Sequence, residues 1–449
     1  MGWYPHMMVG ADRQVSLSRC LAIVVGLSGH AYLAGCGPPD PPPHPVPAGT
    51  VNAQREQDLD YLVAAIEQIH PKPFLRIQET NFEEIVEGVR LSIPELDDAG
   101  FHLALSRVLA SIQDAHCGLE VFNSSAYPIV SSLNAEAFDE GWFVVSCTED
   151  HSDLLASRIV AIDGQPYETL VDRCSEYIPA ANAHRVVYRA PRWLMVPGFL
   201  HALGLCAEAD RYTVEFELPS GEHISRDFLS GKLDSESGVH VLSGKEDLPR
   251  SIHPQSHETG APYWWTYEPD NRLLYLQYNA VQTHDDYPFD DMVDSFLERI
   301  DQGGVDVVVV DVRYNGGGNN GLIGPLDRGL TARAQGGDLD RIYVLVSGRT
   351  FSSGVDVGVR LRDNASAPVV GTPTGGMPNS FGNRVPFILP NSKIKGACSS
   401  GYFRLVDGEP PTLNPHEHIG RPWADYSIGR DTAMEWVRAQ GNERTTTPP

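Results

Sequence analysis

The sequence predicts an α/β protein with a parallel-sheet core, preceded by a helical segment and a mostly β segment. Three patterns lead to this prediction. Apolar residues recur at helical spacing between residues 51 and 122, and short apolar runs broken by turn residues follow to about residue 235. From residue 263 onward, strands of the buried type alternate with helices. At 449 residues, the chain is expected to form two or three domains.

The bulk composition is that of a folded protein with an acidic surface. Hydrophobic residues make up 41% of the chain and charged residues 21%, which is ordinary for a globular protein. The formal net charge is −25, whereas nucleic-acid binding needs a basic face that displaces counterions from phosphates. We therefore expect no nucleic-acid partner.

The first 36 residues have the pattern of a secretory signal. Arg13 and Arg19 precede an apolar stretch, which ends in small residues and Cys36. A Cys directly after Leu-Ala-Gly resembles the lipobox of bacterial lipoproteins, which implies export and a membrane anchor through a lipid on Cys36. Gly37, rather than an acidic residue, follows the Cys, and this favours the outer membrane over the inner. The alternative is a plain signal peptide or short membrane anchor with a coincidental Cys.

The segment 37–50 is rich in proline, which favours extended polyproline II, so we predict a semi-rigid tether there. The chain has seven cysteines, of which Cys20 lies in the signal and Cys36 would be acylated. No CxxC pair occurs, so a zinc or iron–sulfur site is not expected. One or two disulfides are possible in an oxidising compartment, with the pairing open. The cysteines that remain for them are Cys117, Cys147, Cys174, Cys206 and Cys398.

A helical domain is predicted over residues 51–122. One helix runs to Ile69 and stops at His70, and a second is predicted to begin at a capping pair of Asn81 and Glu84. A third carries apolar residues over 104–112 and ends before the sequence DAH at 114–116.

Residues 123–235 are predicted to form a mostly β module. One of its strands, at 158–162, closes on an Asp163-Gly164 turn. The polar stretch 236–262 is expected to be a surface loop.

The α/β core is predicted over residues 263–449. Strands are expected at 273–276, 305–312, 342–346 and 368–371, with helices at 289–300 and 353–361. In such a sheet, reactive groups lie beyond the carboxyl ends of the strands.

Two loops follow such strand ends, a glycine loop at 315–321 and a serine loop at 347–354. Ser352 sits where a strand gives way to a helix, where the free N–H groups of the helix can stabilise an oxyanion. A serine needs a base to take its proton, and His116 is the candidate. Each feature also has a structural interpretation, since glycines make tight turns, serines cap helices and a single histidine is usually structural.

The glycine loop also fits a dinucleotide fingerprint, because Gly316, Gly318 and Gly321 have the GxGxxG spacing. That motif requires an acidic residue at the end of the next strand. The chain instead reads VSGR at 346–349, and the loop lies far from the N-terminus. We therefore disfavour dinucleotide binding.

Four ordered motifs carry a resemblance to the tail-specific, C-terminal-processing and tricorn-type serine peptidases. They are DAH at 114–116, DVRYNGGG at 311–318, TFSSG at 350–354 and VVGTPTGG at 369–376. The similarity extends from about residue 56 to residue 435. It implies a crotonase-like parallel-sheet core, a helical N-terminal domain, and a small PDZ-like β module that includes residues 159–167.

The resemblance also implies a role for each matching residue. Ser352 corresponds to the nucleophile, and the amides of Ser353 and Gly317 to the oxyanion hole. Substrate would lie against Gly316, Gly318 and Gly376. One branch of the family uses a lysine base that would fall at position 377, but Met377 stands there and cannot accept a proton.

The chain is therefore more similar to the tricorn-like branch, in which a histidine serves as the base. The resemblance makes His116 that base, oriented by an acid near the C-terminal end of the core. Glu417 is nearest the expected place, and Glu409 and Asp114 are alternatives. The neighbouring His416 and His418 lack a third ligand at helical spacing, so we expect no metal there and no cofactor.

The resemblance implies a serine-type peptidase of the bacterial envelope that forms an acyl-enzyme on Ser352. Its substrates would be unfolded polypeptide or C-terminal peptide segments. One alternative is an inactive envelope lipoprotein that binds peptides, and another is a hydrolase of non-peptide esters or amides. The natural substrate, the cleavage preference and the oligomeric state stay open.

Overall fold

The computed structural model describes residues 37–121, 132–231 and 255–445, together with three short strands outside these ranges. Side chains are described up to residue 440. The helices are α1 Val51–Ile69, α2 Glu79–Ser92, α3 Asp98–Ser111, α4 Tyr167–Cys174, α5 Ala183–Leu194, α6 Pro197–Ala202, α7 Phe289–Asp301, α8 Gly324–Gly336, α9 Ser353–Ala365, α10 Trp423–Ser427 and α11 Thr432–Thr445. The strands are β1 Ile23–Val25, β2 Ala31–Leu33, β3 Gly118–Leu119, β4 Leu133–Phe138, β5 Gly141–Thr148, β6 Arg158–Ile162, β7 Gln165–Pro166, β8 Arg211–Glu217, β9 His223–Leu229, β10 Val239–Val241, β11 Tyr263–Glu268, β12 Leu273–Tyr278, β13 Val307–Asp311, β14 Arg341–Val346, β15 Val369–Gly371, β16 Ser380–Ile388, β17 Lys395–Phe403 and β18 Glu417–His418.

The central sheet has the order β11-β12-β13-β14-β15-β18, and every pair from β12 to β18 is parallel. β13 is buried along its whole length because both faces of the sheet are covered. Helices α7, α8 and α9 pack on one face, and α11 packs on the other. The α/β fold class with a parallel-sheet core is thus confirmed, and the strands and helices predicted after residue 263 form close to the predicted bounds.

The N-terminal helices form a layer that packs on a separate three-stranded sheet. This sheet has the order β16-β17-β3, and side chains such as Phe387 and Cys398 share one hydrophobic core with α1, α2 and α3. The predicted start of the second helix is wrong. α2 begins at Glu79 with Gln78 at its N-cap, so Asn81 lies inside the first turn and does not cap the helix.

The middle segment has a sheet of order β10-β5-β6-β8-β9, with β4 paired to β5 and β7 to β6. The predicted Asp163-Gly164 turn joins β6 to β7, and both residues have positive φ (46° and 71°), as a tight two-residue hairpin requires. The prediction of a mostly β module missed α4, α5 and α6, whose side chains fill the core beside this sheet. Pro191 inside α5 and Pro197 at the start of α6 break up the helical pattern in the sequence.

The predicted surface loop at 236–262 contains strand β10, which pairs antiparallel with the end of β5. The loop prediction is therefore wrong for these three residues. Residues 242–254 of that segment lie outside the described residues.

The proline-rich segment lies along the protein body. Gln68 Nε2 donates to the carbonyl oxygen of Asp40 at 2.8 Å, and His44 Nε2 lies 2.9 Å from the carbonyl oxygen of Ile388. The described part of this segment therefore contacts α1 and β16. Cys36 and most of the predicted signal lie outside the described residues, and no helix among the described residues is long and apolar enough to span a membrane.

Candidate active site

Ser352 follows β14 at the turn into α9, as the sequence predicts. Its backbone has φ 52° and ψ −129°, a conformation that residues other than glycine rarely adopt. Such a backbone costs on the order of 1–3 kcal/mol and persists only where its surroundings hold it. The loop is held by hydrogen bonds from Phe351 N–H to the Asn315 carbonyl (2.9 Å) and from Gly376 N–H to the Thr350 carbonyl (2.9 Å).

His116 contacts Ser352 although it lies 236 residues before it in the sequence. It lies in the loop between α3 and β3, and its Nε2 is 3.0 Å from Ser352 Oγ. The imidazole also packs on the Phe351 ring, with 4.4 Å between ring centroids. β3 pairs with β17, so the position of His116 depends on the second sheet. The structure therefore brings together the predicted nucleophile and the predicted base.

Asp114 is the acid beside His116. It is 2% exposed, and its Oδ1 accepts the His116 backbone N–H at 2.9 Å and lies 3.5 Å from His116 Nδ1. This placement favours the tautomer with the proton on Nδ1, which leaves Nε2 free to accept a proton from Ser352. Burial raises the pKa of Asp114, but hydrogen bonds from His116 and His70 outweigh it and hold that pKa well below its ordinary value.

The other carboxylate oxygen of Asp114 faces three further side chains. Ser399 Oγ donates to it at 2.5 Å, Cys117 Sγ at 3.1 Å, and His70 Nε2 lies at 3.4 Å. His70 Nδ1 accepts the backbone N–H of Lys72 at 3.3 Å, which leaves the proton on Nε2, facing Asp114. Asp114 is thus held rigidly and stays ionised.

Asp114 and two of the side chains around it are also the ones in the described part of the chain whose arrangement could hold a metal ion. Ligand atoms of His70, Asp114 and Cys117 lie within 4.8 Å of one another. Burial raises the pKa of Cys117 well above its ordinary value, and Cys398 and Asp114 raise it further. Because a thiol must lose its proton to bind a metal, and because His70 turns a protonated nitrogen toward the group, the arrangement favours a hydrogen-bond network.

The two other candidate acids lie elsewhere. Glu417 sits in β18 beside Val370, with its side chain exposed, and no hydrogen bond or ion pair among the described residues joins it to His116. Glu409 accepts a hydrogen bond from the hydroxyl of Tyr402. The preference for Glu417 was drawn from its position in the sequence, whereas the geometry places Asp114 next to the imidazole.

The glycine loop lies against Ser352. Gly317 has φ +104°, and a Cβ there would be 2.5 Å from Ser352 Cβ, so only glycine fits. Its N–H, a predicted oxyanion donor, donates to Asn315 Oδ1 at 2.8 Å. Ser353 is the first residue of α9, so its N–H has no acceptor within the helix and is available to an oxyanion.

The three glycines predicted to contact substrate are placed differently from one another. Gly316 lines the large cavity beside His116. A Cβ on Gly318 would be 2.1 Å from the Val281 carbonyl oxygen, and one on Gly376 would be 3.0 Å from Phe351 Cα. Gly318 therefore lets the glycine loop approach the Val281 backbone, and Gly376 lets its own segment pack closely against the serine loop. Met377, at the position of the alternative base, is buried.

A cavity of about 1100 Å³ opens beside His116 and Phe351. Its walls come from α5, from the serine loop, from β4 and from the segment around Arg421. Glu136 bridges Arg349 (2.7 Å) and Arg421 (2.8 Å) across it. Burial raises the pKa of Glu136, but these two arginines outweigh it and hold the pKa far below its ordinary value.

Sequence reasoning missed the arginines of this cavity. Arg185, Arg189 and Arg192 occur at positions i, i+4 and i+7 of α5, which places them on one face of the helix. A basic stripe in a chain of net charge −25 is the signal that could have identified them.

Comparison with solved structures shows which fold the chain has. The structure of mature CPAF in complex with lactacystin aligns over 87% of this chain and 98% of its own, with a TM-score of 0.64 and 14% identity. Mature CPAF alone aligns over 88% and 99%, with a TM-score of 0.64 and 14% identity. The photosystem II D1 C-terminal processing protease aligns over 83% and 94% at 13% identity, and its TM-score of 0.38 is too low for any conclusion.

No family model matches the chain, and no curated protein sequence matches it. The identities to the solved structures are low, so the comparisons bear on the architecture and not on the chemistry. The chain is therefore an α/β protein that shares its fold with mature CPAF over nearly its whole described length.

Proposed function

We propose that the protein is a serine-type peptidase that cleaves unfolded or C-terminal peptide segments through an acyl-enzyme on Ser352. The observation that carries the proposal is the distance of 3.0 Å between Ser352 Oγ and His116 Nε2. It lies within the hydrogen-bond range that a nucleophile and its base require. The fold shared with mature CPAF is consistent with this activity.

In the proposed first step, His116 Nε2 takes the proton of Ser352 as the hydroxyl oxygen attacks the carbonyl carbon of the substrate. Asp114 stabilises the imidazolium that forms, because its buried carboxylate stays ionised and faces Nδ1. The imidazolium then gives its proton to the leaving amine. Water hydrolyses the ester on Ser352 by the same route in reverse.

The tetrahedral oxyanion needs hydrogen-bond donors that point at it. The Ser353 N–H is one donor, and the positive end of α9 adds to its effect. The Gly317 N–H becomes the second only when the Asn315 amide oxygen releases it, since the two are bonded at 2.8 Å. Because Asn315 is fully buried and its Nδ2 donates to the Tyr278 carbonyl oxygen (2.7 Å), we propose that the Gly317 amide, and not Asn315, turns when substrate binds.

Cellular location is part of the same proposal. The Cys36 motif supports export and a lipid anchor, with the outer membrane favoured. The test is metabolic labelling with a palmitate analogue, in which wild type incorporates label and Cys36→Ala does not. Labelling that persists in Cys36→Ala would contradict lipidation at Cys36, and it would leave the catalytic proposal unaffected.

The catalytic proposal is tested with the full chain solubilised in mild detergent. A mixed library of unstructured peptides is incubated with wild type, Ser352→Ala and His116→Ala and analysed by mass spectrometry. Matched controls are Ser427→Ala, which alters an exposed serine of α10, and His223→Ala, which alters an exposed histidine of β9. We expect cleavage by wild type and both controls, and none by Ser352→Ala or His116→Ala.

A fluorophosphonate probe provides a second readout that needs no knowledge of the substrate. It should label wild type at Ser352 and fail to label Ser352→Ala. Cleavage that survives Ser352→Ala would mean that the nucleophile is wrong. Peptide binding without cleavage or labelling would favour a non-catalytic binding protein, in which the Gly317 amide stays bonded to Asn315.

A further inference from the structure

The arginines that line the cavity include two groups with different surroundings. Arg349 and Arg421 share Glu136, and Arg313 pairs with Asp311 (2.7 Å) and Asp431 (2.7 Å). These three charges are compensated within the protein. A second group consists of Arg185 and Arg189 on α5 and Arg384 on β16, and none of them forms an ion pair with any described residue.

Arg185 is the most unusual member of this second group. The residue is 8% exposed, and its Nε is buried without a hydrogen-bond partner among the described residues. Burial, together with the charge of Arg189, lowers the pKa of Arg185 to about 10. A buried guanidinium without an anionic partner is destabilising, so an anion that enters the cavity would supply the missing charge partner.

The position of Arg185 links it to the reacting groups. Its guanidinium carbon lies 3.9 Å from the centroid of the Phe351 ring. Phe351 directly precedes Ser352, and its ring also contacts the His116 imidazole, with 4.4 Å between the ring centroids. The Phe351 ring therefore contacts both the Arg185 guanidinium and the proposed catalytic base.

Arg189 and Arg384 add to the positive charge at the same wall. The side chain of Arg189 donates to the Pro179 carbonyl oxygen, which holds it in place without neutralising it. Burial lowers the pKa of Arg189, and the nearby charge of Arg384 lowers it further. Like charges facing one another repel, and a negatively charged group between them would relieve that repulsion.

We propose that Arg185, supported by Arg189 and Arg384, binds a carboxylate of the substrate close to the cleaved bond. The guanidinium presents a planar set of N–H donors that matches the two oxygens of a carboxylate. The carboxylate can come from an Asp or Glu side chain or from the C-terminus of the peptide. This inference rests on the proposed peptidase function and assigns the substrate class of that same site.

The test uses matched peptides that differ only in one charge. One pair carries Glu or Gln next to the cleaved bond, and a second pair ends in a free carboxylate or an amide. Wild type should prefer a carboxylate peptide by roughly 10- to 150-fold in kcat/KM, as expected for a hydrogen-bonded charge pair. The pair that shows the preference identifies the source of the carboxylate.

The variants are Arg185→Gln, Arg384→Gln and, as a matched control, Arg90→Gln, whose ion pair with Asp60 (2.7 Å) joins α1 and α2. Arg185→Gln should lower kcat/KM far more for the carboxylate peptide than for its neutral partner, so that the preference between the two disappears. Arg384→Gln, at an exposed position, should weaken the preference severalfold without affecting folding. Arg90→Gln should keep the preference of wild type.

Binding to Ser352→Ala separates this proposal from the catalytic one. Fluorescence anisotropy with the same peptides reports carboxylate recognition even when nothing is cleaved. Tighter binding of carboxylate peptides that disappears with Arg185→Gln in the Ser352→Ala background supports the proposal, whether or not wild type turns over. Equal binding and equal cleavage of both members of both pairs would overturn it.

Discussion

Replacing Asp114 by Asn should remove the negative charge beside His116 while the loop that carries His116 keeps its conformation. Oδ1 of Asp114 can still accept the His116 backbone N–H at 2.9 Å, so the loop keeps its main contact. The amide nitrogen would then stand at Oδ2, facing Ser399, Cys117 and His70. The hydroxyl and thiol can rotate, whereas the His70 Nε2–H cannot turn away without losing the bond from Lys72.

Two magnitudes follow from this geometry. The new amide N–H2 would face the His70 Nε2–H across 3.4 Å, and two buried donors that face each other should lower the free energy of unfolding by about 1–3 kcal/mol. Loss of the charge beside the His116 imidazolium removes an interaction worth about 1.5–3 kcal/mol, which lowers kcat roughly 10- to 150-fold at about 1.36 kcal/mol per factor of ten. The variant should therefore fold, unfold at a lower temperature, and turn over slowly.

The assay combines thermal unfolding with kcat on a peptide that wild type cleaves, or with the rate of fluorophosphonate labelling. Glu417→Gln is the matched variant, since it makes the same chemical change at the other candidate acid, and it should stay within about twofold of wild type because Glu417 is exposed in β18. A folded Asp114→Asn protein with wild-type kcat would refute the assignment. Loss of activity in Glu417→Gln alone would transfer the role to Glu417.

The same carboxylate predicts a pH dependence of stability. The folded pKa of Asp114 lies well below the unfolded value, so its contribution is fully present above the unfolded pKa of about 3.9. That contribution is lost as the pH falls through the folded pKa. The difference in unfolding free energy between wild type and Asp114→Asn should accordingly shrink below about pH 4, and a constant difference down to pH 2 would contradict this.

Three further predictions concern packing and burial. Gly317→Ala should abolish activity and lower the melting temperature, because its Cβ would lie 2.5 Å from Ser352 Cβ at a φ of +104°; wild-type kinetics would refute the close approach. Asp431→Asn should destabilise the fold by about 1.5–3 kcal/mol in denaturant unfolding, since it removes one of the two carboxylates paired with Arg313 (2.7 Å) while Asp311 remains. Cys174 has its pKa raised by burial to about 12, so iodoacetamide at pH 8 should leave it unmodified in the folded protein and alkylate it after unfolding, as peptide mass spectrometry can show.

The core sheet could be predicted because its sequence signal is local. The residues of β13 are almost all valine and buried on both faces, so hydrophobicity alone predicts a central strand. The turn from β14 into α9 is also local, and it identifies Ser352 as exposed at a strand end. Such features need no knowledge of how distant segments meet.

The catalytic pair could not be derived from local patterns. Ser352 and His116 are separated by 236 positions in the chain, and only the resemblance to a peptidase family joined them in the sequence. The acid illustrates the same limit. Asp114 stands two residues before His116, and its burial against Ser399 from β17 depends on a strand pairing that no periodicity reveals.

Sequence reasoning missed the arginines of α5 that line the cavity for a different reason. α5 has an apolar stripe at Val186, Ala190 and Trp193. However, Pro191 inside the helix and a second proline shortly after it interrupt the helical pattern in the sequence. The arginines gain their significance from what lies opposite them, namely Phe351 and the cavity. The charge pattern was visible in the sequence, but its location was not.

The pairing of β3 with β17 has a consequence for the order of synthesis. Gly118 and Leu119 follow His116 directly, and they pair with Ala397 and Gly396. A chain emerging from the ribosome, or crossing a membrane unfolded, contains His116 long before the strand that supports it. The proposed peptidase is therefore inert until nearly nine-tenths of the chain has been made, so the chain topology itself delays activity.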